Sequence, residues 1–169
     1  EFRQIARSKV VLLGGTWGSA RDFHETPIGR IPGVLVNAFA VLAEINDSAG
    51  KAQSVVLDVT IADRIENALK QAEDRFGPID ALVNNAGVTA TKPALDQDER
   101  AWDSVVDTNL KGVWLVAQAS ARRMIANGIK GSIVNIASIL GLRVAGAVAP
   151  YAISKAGVIQ MTKALALEW

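Results

Sequence analysis

Three side chains near the end of the sequence have types and spacing suited to proton transfer: Ser138, Tyr151 and Lys155. Residues four apart on a helix share a face, so the phenol of Tyr151 and the ammonium of Lys155 can point into one site. A phenol has an unperturbed pKa of about 10, and a fixed cation nearby favours the phenolate and lowers that value. Such a pair suits general acid–base catalysis, while a serine hydroxyl can hydrogen-bond the oxygen of a carbonyl substrate.

The elements that must hold these side chains follow from the flanking sequence. Ser138 comes after the mostly apolar run 131–137, which predicts a strand with Ser138 at its C-terminal end. Ligands bind at that edge in open α/β sheets. The segment 152–169 has the pattern of a helix directly behind Tyr151. We therefore expect the strand end and the helix to meet at one site.

Short apolar runs alternate with amphipathic patterns along the sequence. The runs that predict strands are 8–13, 34–36, 54–57, 79–83 and 133–137, and the helical patterns cover about 60–76, 98–106, 109–126 and 152–169. This alternation predicts an α/β fold, a Rossmann-like doubly wound parallel sheet of about five strands. A single domain over 1–169 is expected, and it is expected to be C-terminally truncated because the sequence stops inside a helical pattern.

Several motifs stand in a fixed order ahead of the three side chains. They are Leu57-Asp58-Val59, Asn84-Asn85-Ala86-Gly87 and Thr108-Asn109-Leu110-Lys111-Gly112, followed by Ser138, Tyr151 and Lys155. On these residues the chain resembles the short-chain dehydrogenases/reductases, and among them the single-domain 3-oxoacyl-(acyl-carrier-protein) reductases. The resemblance runs from about residue 55 to residue 169.

The resemblance implies an NAD(P)-dependent oxidoreductase that interconverts an alcohol and a ketone by hydride transfer, of the 3-oxoacyl-thioester reductase type. It assigns carbonyl orientation to Ser138, proton donation to Tyr151, and ribose binding with activation of the phenol to Lys155. Asn109 would support a water that continues the proton path. Cofactor contacts are implied at strand ends and on the catalytic helix: Asp58, Val59, Asn85, Ala86, Gly87, Tyr151 and Lys155.

The glycine-rich turn expected after the first strand departs from the family pattern. Gly14, Thr16 and Gly18 fall on positions expected to contact the cofactor, but Ala20 replaces the last glycine and Trp17 occupies a position that is often basic in NADP-using relatives. The segment 21–33 contains two prolines and two glycines, so no continuous helix is expected there. The cofactor is NADP or NAD. The absence of an acidic residue at 36–38 favours NADP, whereas Trp17 stands where a basic residue would support NADP binding.

Composition excludes several classes of function. The net charge of +1 gives no electrostatic footprint for nucleic acid or an anionic membrane surface. Cysteine is absent and His24 is the sole histidine, so neither a disulfide nor the usual Cys/His metal site is expected. No apolar run approaches the roughly 20 residues of a membrane helix. A small-molecule substrate and a cytoplasmic location fit these properties.

Alternatives remain open at this point. One is a catalytically silent fragment that associates with itself or a partner, because a sequence ending at Trp169 is expected to leave the fifth strand as an unprotected apolar edge. The helices over 109–126 and 151–169 resemble the family's subunit interface, so a homo-oligomer is expected either way. A sugar-nucleotide epimerase is disfavoured by the motifs at 84–87 and 108–112. Asp58 could equally be a capping acid for the helix that follows it.

Four other residues are interpreted as structural. Ser154 and Thr162 lie in the last helical pattern and are interpreted as helix filler. Trp102 and Trp114 are interpreted as anchors of the hydrophobic core.

Overall fold

A parallel sheet forms the centre of the computed structural model, which describes residues 10–13, 23–26, 29–32, 52 and 54–169. The strands are β1 Val10–Leu13, β2 Phe23–Thr26, β3 Gly29–Pro32, β4 Ala81–Asn84 and β5 Ser132–Asn135. β1, β4 and β5 form one sheet in that order, and both of its pairings are parallel. Val11 is in register with Leu82, and Leu82 with Ile133, so the strand ends fall at one edge.

Helices carry the chain between the parallel strands. They are α1 Ala62–Phe76, α2 Glu99–Val106, α3 Val113–Ala126 and α4 Ala149–Glu168. α1 leads into β4, and α2 and α3 lie between β4 and β5, as a crossover between parallel strands requires. This arrangement confirms the predicted Rossmann-like α/β class. Along the described part of the chain, no helix is both long enough and apolar enough to cross a membrane.

Two predicted features of the first third differ from the structure. β2 and β3 pair in antiparallel register, where only the loss of a helix was expected. The predicted strand at 54–57 is wrong for the described structure, because this segment joins no strand ladder there. Leu57 is nevertheless 5% exposed and Val56 84% exposed, so these neighbouring side chains point to opposite sides, as they do in an extended chain. The predicted strand at 34–36 lies outside the described residues.

The core lies between the sheet, α1 and α3. Its fully buried large side chains include Ile65 and Leu69 of α1, Leu82 of β4 and Val116 of α3. Each such side chain contributes about 1.5–3 kcal/mol relative to an exposed one. At the rim of this contact, the guanidinium of Arg123 on α3 bonds carboxylates of α1, those of Glu66 and Glu73. Charge pairing and apolar burial therefore fix α1 against α3.

Trp102 and Trp114 are not core anchors. Trp102 is 38% exposed and Trp114 is 39% exposed, so each ring keeps much of its surface in solvent. The expectation failed because a single aromatic residue on a helix does not show whether its own face turns toward the sheet or away from it.

Candidate active site

Lys155 is the buried cation of the site. Its side chain lies on α4, only 4% of the residue is exposed, and its Nζ donates a 2.6 Å hydrogen bond to the carbonyl oxygen of Ile136. Burial lowers the pKa of Lys155 below its ordinary value. Nζ lies 5.8 Å from the ring centroid of Tyr151, which is partly exposed. The helix therefore brings the phenol and the amine to one face, as their spacing predicts.

Asn109 lies in a six-residue π-helical turn, Asp107–Gly112, within one helical run that joins α2 to α3. The sequence predicted two separate helices there. The amide of Asn109 is fully buried. Its Oδ1 accepts from the Val88 N–H at 2.7 Å, and its Nδ2 donates to the Val88 carbonyl at 2.9 Å and to Ser154 Oγ at 3.1 Å. Inserted π-turns are frequent at functional sites, and this one directs Asn109 at the residues behind β4.

Gly112 explains how the π-turn approaches the segment before α1. A methyl group at position 112 would lie 2.7 Å from Val59 Cγ2 and 3.1 Å from the Val59 carbonyl oxygen. The first contact is shorter than side chains show and the second is tight, so alanine would force Val59 or the turn to shift, and glycine permits the close approach. The approach connects Val59, which is 4% exposed, to the turn that carries Asn109.

Gly87 lies beside both Asn109 and Lys155. A methyl group at position 87 would be 3.4 Å from Asn109 Oδ1 and 3.7 Å from Lys155 Nζ. Gly87 itself is exposed, so it lies between solvent and these two buried polar groups. Asn85 is also exposed, whereas the Ala86 side chain belongs to the core.

Ser138 follows β5, as predicted, and begins the short 3₁₀ turn Ile139–Gly141. Its Oγ accepts from the Leu140 N–H at 3.2 Å. Gly141 lies directly on α4, because a methyl group there would be 2.9 Å from the Lys155 carbonyl oxygen. The turn that carries Ser138 is therefore held against the helix that carries Lys155.

Asp58 lies at the end of the extended segment and binds locally. Its Oδ1 accepts from the Thr60 hydroxyl at 2.7 Å and from the Thr60 N–H at 2.9 Å. The hydrogen bond from the Thr60 side chain is the main cause that lowers the pKa of Asp58, so its carboxylate is ionised at neutral pH. α1 begins after Ile61, and Asp58 therefore stabilises the turn ahead of the helix rather than capping it.

Two residues interpreted as helix filler prove to be polar links. Ser154 is fully buried, accepts from Asn109 and donates to the Tyr151 carbonyl at 2.8 Å. Thr162 Oγ1 accepts from Asn135 Nδ2 at 3.0 Å, and Asn135 Oδ1 in turn accepts from Asn84 Nδ2 at 2.9 Å. The sequence feature that could have indicated a site role for Ser154 is its position three residues after Tyr151, which places it near the same helix face.

The glycine-rich turn follows β1 in the sequence. β1 ends at Leu13, immediately before the turn, while Gly14, Thr16 and Gly18 lie outside the described residues. The structure thus brings together Gly87, Asn109, Tyr151 and Lys155, with Ser138 on the adjoining turn and Asp58–Val59 on the other side of the π-turn.

Known proteins are similar to this chain in both sequence and fold. The family model described as short chain dehydrogenase matches residues 34–169. The 2-dehydro-3-deoxy-D-gluconate 5-dehydrogenase of Escherichia coli is 41% identical over 69% of this chain and 46% of its own length. The 3-oxoacyl-(acyl-carrier-protein) reductase of Thermotoga maritima is 40% identical over 78% of this chain and 53% of its own length. The chain thus spans about half the length of these curated relatives.

Solved structures agree with the sequence relatives. A putative gluconate dehydrogenase from Agrobacterium tumefaciens superposes with a TM-score of 0.73 at 34% identity, over 79% of this chain and 53% of its own. An actinorhodin polyketide ketoreductase crystallised with NADPH superposes with a TM-score of 0.72 at 37% identity, over 77% of this chain and 50% of its own. Sequence and fold agree, and the chain belongs to the short-chain dehydrogenase/reductase family of NAD(P)-dependent oxidoreductases.

Proposed function

We propose that the chain reduces a ketone to an alcohol, and catalyses the reverse reaction, with Ser138, Tyr151, Lys155 and Asn109 as the catalytic set. The observation that carries the proposal is the cluster behind β4, in which the exposed Gly87 lies against the buried Lys155 and Asn109, beside the ring of Tyr151. A buried amine next to a partly exposed phenol is a suitable arrangement for proton transfer to a ligand oxygen.

The described residues fit a nicotinamide dinucleotide. Gly87 leaves the space beside Lys155 Nζ that a larger side chain would fill, and the amine can donate to a ribose hydroxyl there. The ionised carboxylate of Asp58 can accept a hydrogen bond from the adenine amino group. When bound, the cofactor supplies hydride to the carbonyl carbon. The cofactor is NADP or NAD, with NADP favoured.

Side chains of the protein orient and protonate the carbonyl oxygen of the substrate. Ser138 would donate a hydrogen bond to the carbonyl oxygen and fix its orientation, while the Tyr151 hydroxyl transfers its proton to that oxygen as negative charge develops. Lys155 stabilises the phenolate that remains on Tyr151. The side chain of Asn109 holds the loop at Val88. The family resemblance assigns this residue the support of a water that returns a proton to the pair.

A 3-oxoacyl thioester is the proposed substrate class. The loop behind Ser138 presents apolar side chains to solvent, since Ile139 is 67%, Leu142 74% and Val144 90% exposed. An acyl chain buries such surface, whereas a polyhydroxy acid would leave its hydroxyl groups facing apolar side chains. Initial rates with a 3-oxoacyl thioester and with a keto sugar acid of similar size test this choice. A higher kcat/KM for the sugar acid would contradict it.

We also propose that the chain self-associates through α3 and α4. A groove of about 290 Å³ runs between these helices and is lined mainly by Trp114, Gln118, Arg122, Ile125, Leu165 and Trp169. Ile125 is 70% exposed and Leu167 is 90% exposed on the same helices. Sedimentation of Trp114→Ser tests the interface, with Leu95→Ser, another exposed apolar residue outside the groove, as the control. Unchanged association in Trp114→Ser would contradict the interface.

A cofactor titration tests the proposed function. NADPH and NADH are titrated separately into the wild-type chain and into Lys155→Met, following the fluorescence of the nicotinamide. Saturable binding at micromolar concentrations that weakens in Lys155→Met supports the proposal. A folded chain that binds neither cofactor would favour the alternative, a catalytically silent module that only associates with itself or a partner.

A further inference from the structure

The buried hydroxyl of Ser154 links α4 to the π-turn, two segments that carry the proposed active site. It accepts from Asn109 on the π-turn and donates to the carbonyl of Tyr151 on α4. Asn109 in turn binds both backbone groups of Val88, the residue after Gly87. Asn109 and Ser154 together therefore join the loop behind β4, the π-turn and the first turn of α4.

The direction of each hydrogen bond follows from the backbone groups involved. The Val88 N–H can only donate and the Val88 carbonyl can only accept, so Asn109 must present Oδ1 to the first and Nδ2 to the second. The second Nδ2 proton then points at Ser154, whose oxygen must accept it. Ser154 therefore sends its own proton to the Tyr151 carbonyl, and the amide of Asn109 cannot flip without breaking every one of these bonds.

We propose that Ser154 is a positioning residue of the active site, which fixes the Asn109 amide and holds the turn of α4 that carries Tyr151 against the π-turn. The proposal rests on the catalytic roles given above to Asn109 and Tyr151. Complete burial supports it, because Ser154 and Asn109 are both fully inaccessible and neither can exchange its partner for water. An amide proton left there without an acceptor would cost free energy that reorientation of the side chain could recover.

Ser120 offers a matched control. It is also a fully buried serine on a helix, but within the described structure its Oγ has no hydrogen-bond partner. Ser154→Ala and Ser120→Ala thus delete the same group from equally buried sites, and they differ in whether that group bridges the site. Ser154→Thr retains a hydroxyl, and threonine can also bond a carbonyl one turn back on its helix.

The first readout does not require catalysis. In spectra of the full chain labelled with ¹⁵N-asparagine, the side-chain amide of Asn109 is identified by its loss in Asn109→Ala. Its protection from hydrogen exchange should fall about fivefold or more in Ser154→Ala, the equivalent of one net hydrogen bond, and remain unchanged in Ser120→Ala. Equal protection in wild type and Ser154→Ala would overturn the proposal, even in a chain that binds no cofactor.

The second readout is kinetic. Ser154→Ala should lower kcat about tenfold through misplacement of Tyr151 and Asn109, with the KM for NADPH changed less than about twofold, and Ser154→Thr should recover most of the loss. Ser154→Cys, whose thiol is a weak donor and acceptor, replaces the alanine variant if that variant does not fold. A wild-type kcat in Ser154→Ala, or an equal loss in Ser120→Ala, would contradict a positioning role.

Discussion

Gly112→Ala tests whether the π-turn really lies against the segment before α1. The added methyl would be 2.7 Å from Val59 Cγ2, 3.1 Å from the Val59 carbonyl oxygen and 3.2 Å from the Asp107 carbonyl oxygen. Two of these contacts are to backbone atoms, which cannot rotate away as a side chain can. The strain should therefore reach about 3 kcal/mol, the upper end of the usual cost of overpacking.

Part of that strain is offset by helix propensity. Alanine is favoured over glycine inside a helix by about 1 kcal/mol. The net loss of unfolding free energy should then be about 2 kcal/mol. For a chain of this size, that loss lowers the melting temperature by about 4–8 °C. Thermal unfolding followed by far-ultraviolet circular dichroism measures the shift.

Two other glycines serve as controls for this experiment. A methyl group on Gly146 meets no atom within 4 Å, so Gly146→Ala should melt within about 2 °C of wild type. Gly128 has open space but a φ of +64°, so Gly128→Ala should lose stability through backbone strain far from the site. Only Gly112→Ala should also weaken NADPH binding. If it melts and binds like Gly146→Ala, the proposed close approach is refuted.

Three further predictions concern buried polar groups. Burial lowers the pKa of Lys155, so between that lowered pKa and pH 10.5 the folded chain binds fewer protons than the unfolded chain, and stability rises with pH. Lys155→Met should therefore raise the melting temperature at neutral pH, by an amount that shrinks toward pH 10.5. A rise in melting temperature that does not depend on pH would contradict the lowered pKa. Arg123→Ala should lower the free energy of unfolding in urea by about 1–3 kcal/mol, because the Glu73 side chain, only 18% exposed, loses its partner. Lys70→Ala breaks an exposed pair with Asp74 and should lower it by less than about 0.5 kcal/mol. Equal losses in the two variants would refute a larger contribution from the partly buried pair. Ser120→Ala should melt at or above the wild-type temperature because it removes a buried hydroxyl without a partner, and a clear loss of stability would show that the hydroxyl has one.

Periodicity and motif order predicted most of the fold around the site. The parallel strands at 81–84 and 132–135, the helices that follow 61 and 148, and the shared face of Tyr151 and Lys155 all agree with the sequence patterns. These features are local, because each follows from the spacing of apolar or polar residues within one element. The strand at 54–57 failed because pairing depends on a neighbour, which a single apolar run does not specify.

The polar links of the site could not be predicted in the same way. Nothing in the sequence around Ser154 shows that its hydroxyl meets Asn109, because the two residues are brought together only when α4 packs on the π-turn. The π-turn itself depends on Gly112 and Val59, which are far apart in the sequence. Long-range contacts of this kind depend on tertiary packing rather than on local propensity.

Cofactor oxidation by the wild-type chain and by Tyr151→Phe tests the central claim most directly. The assay follows NADPH absorbance with a 3-oxoacyl thioester, and the affinity of each protein for NADPH is measured alongside. We predict that Tyr151→Phe lowers kcat by at least about 100-fold, the usual contribution of a general acid, while NADPH affinity changes only a few-fold. Turnover of Tyr151→Phe at the wild-type rate would contradict the assignment of Tyr151 as the proton donor.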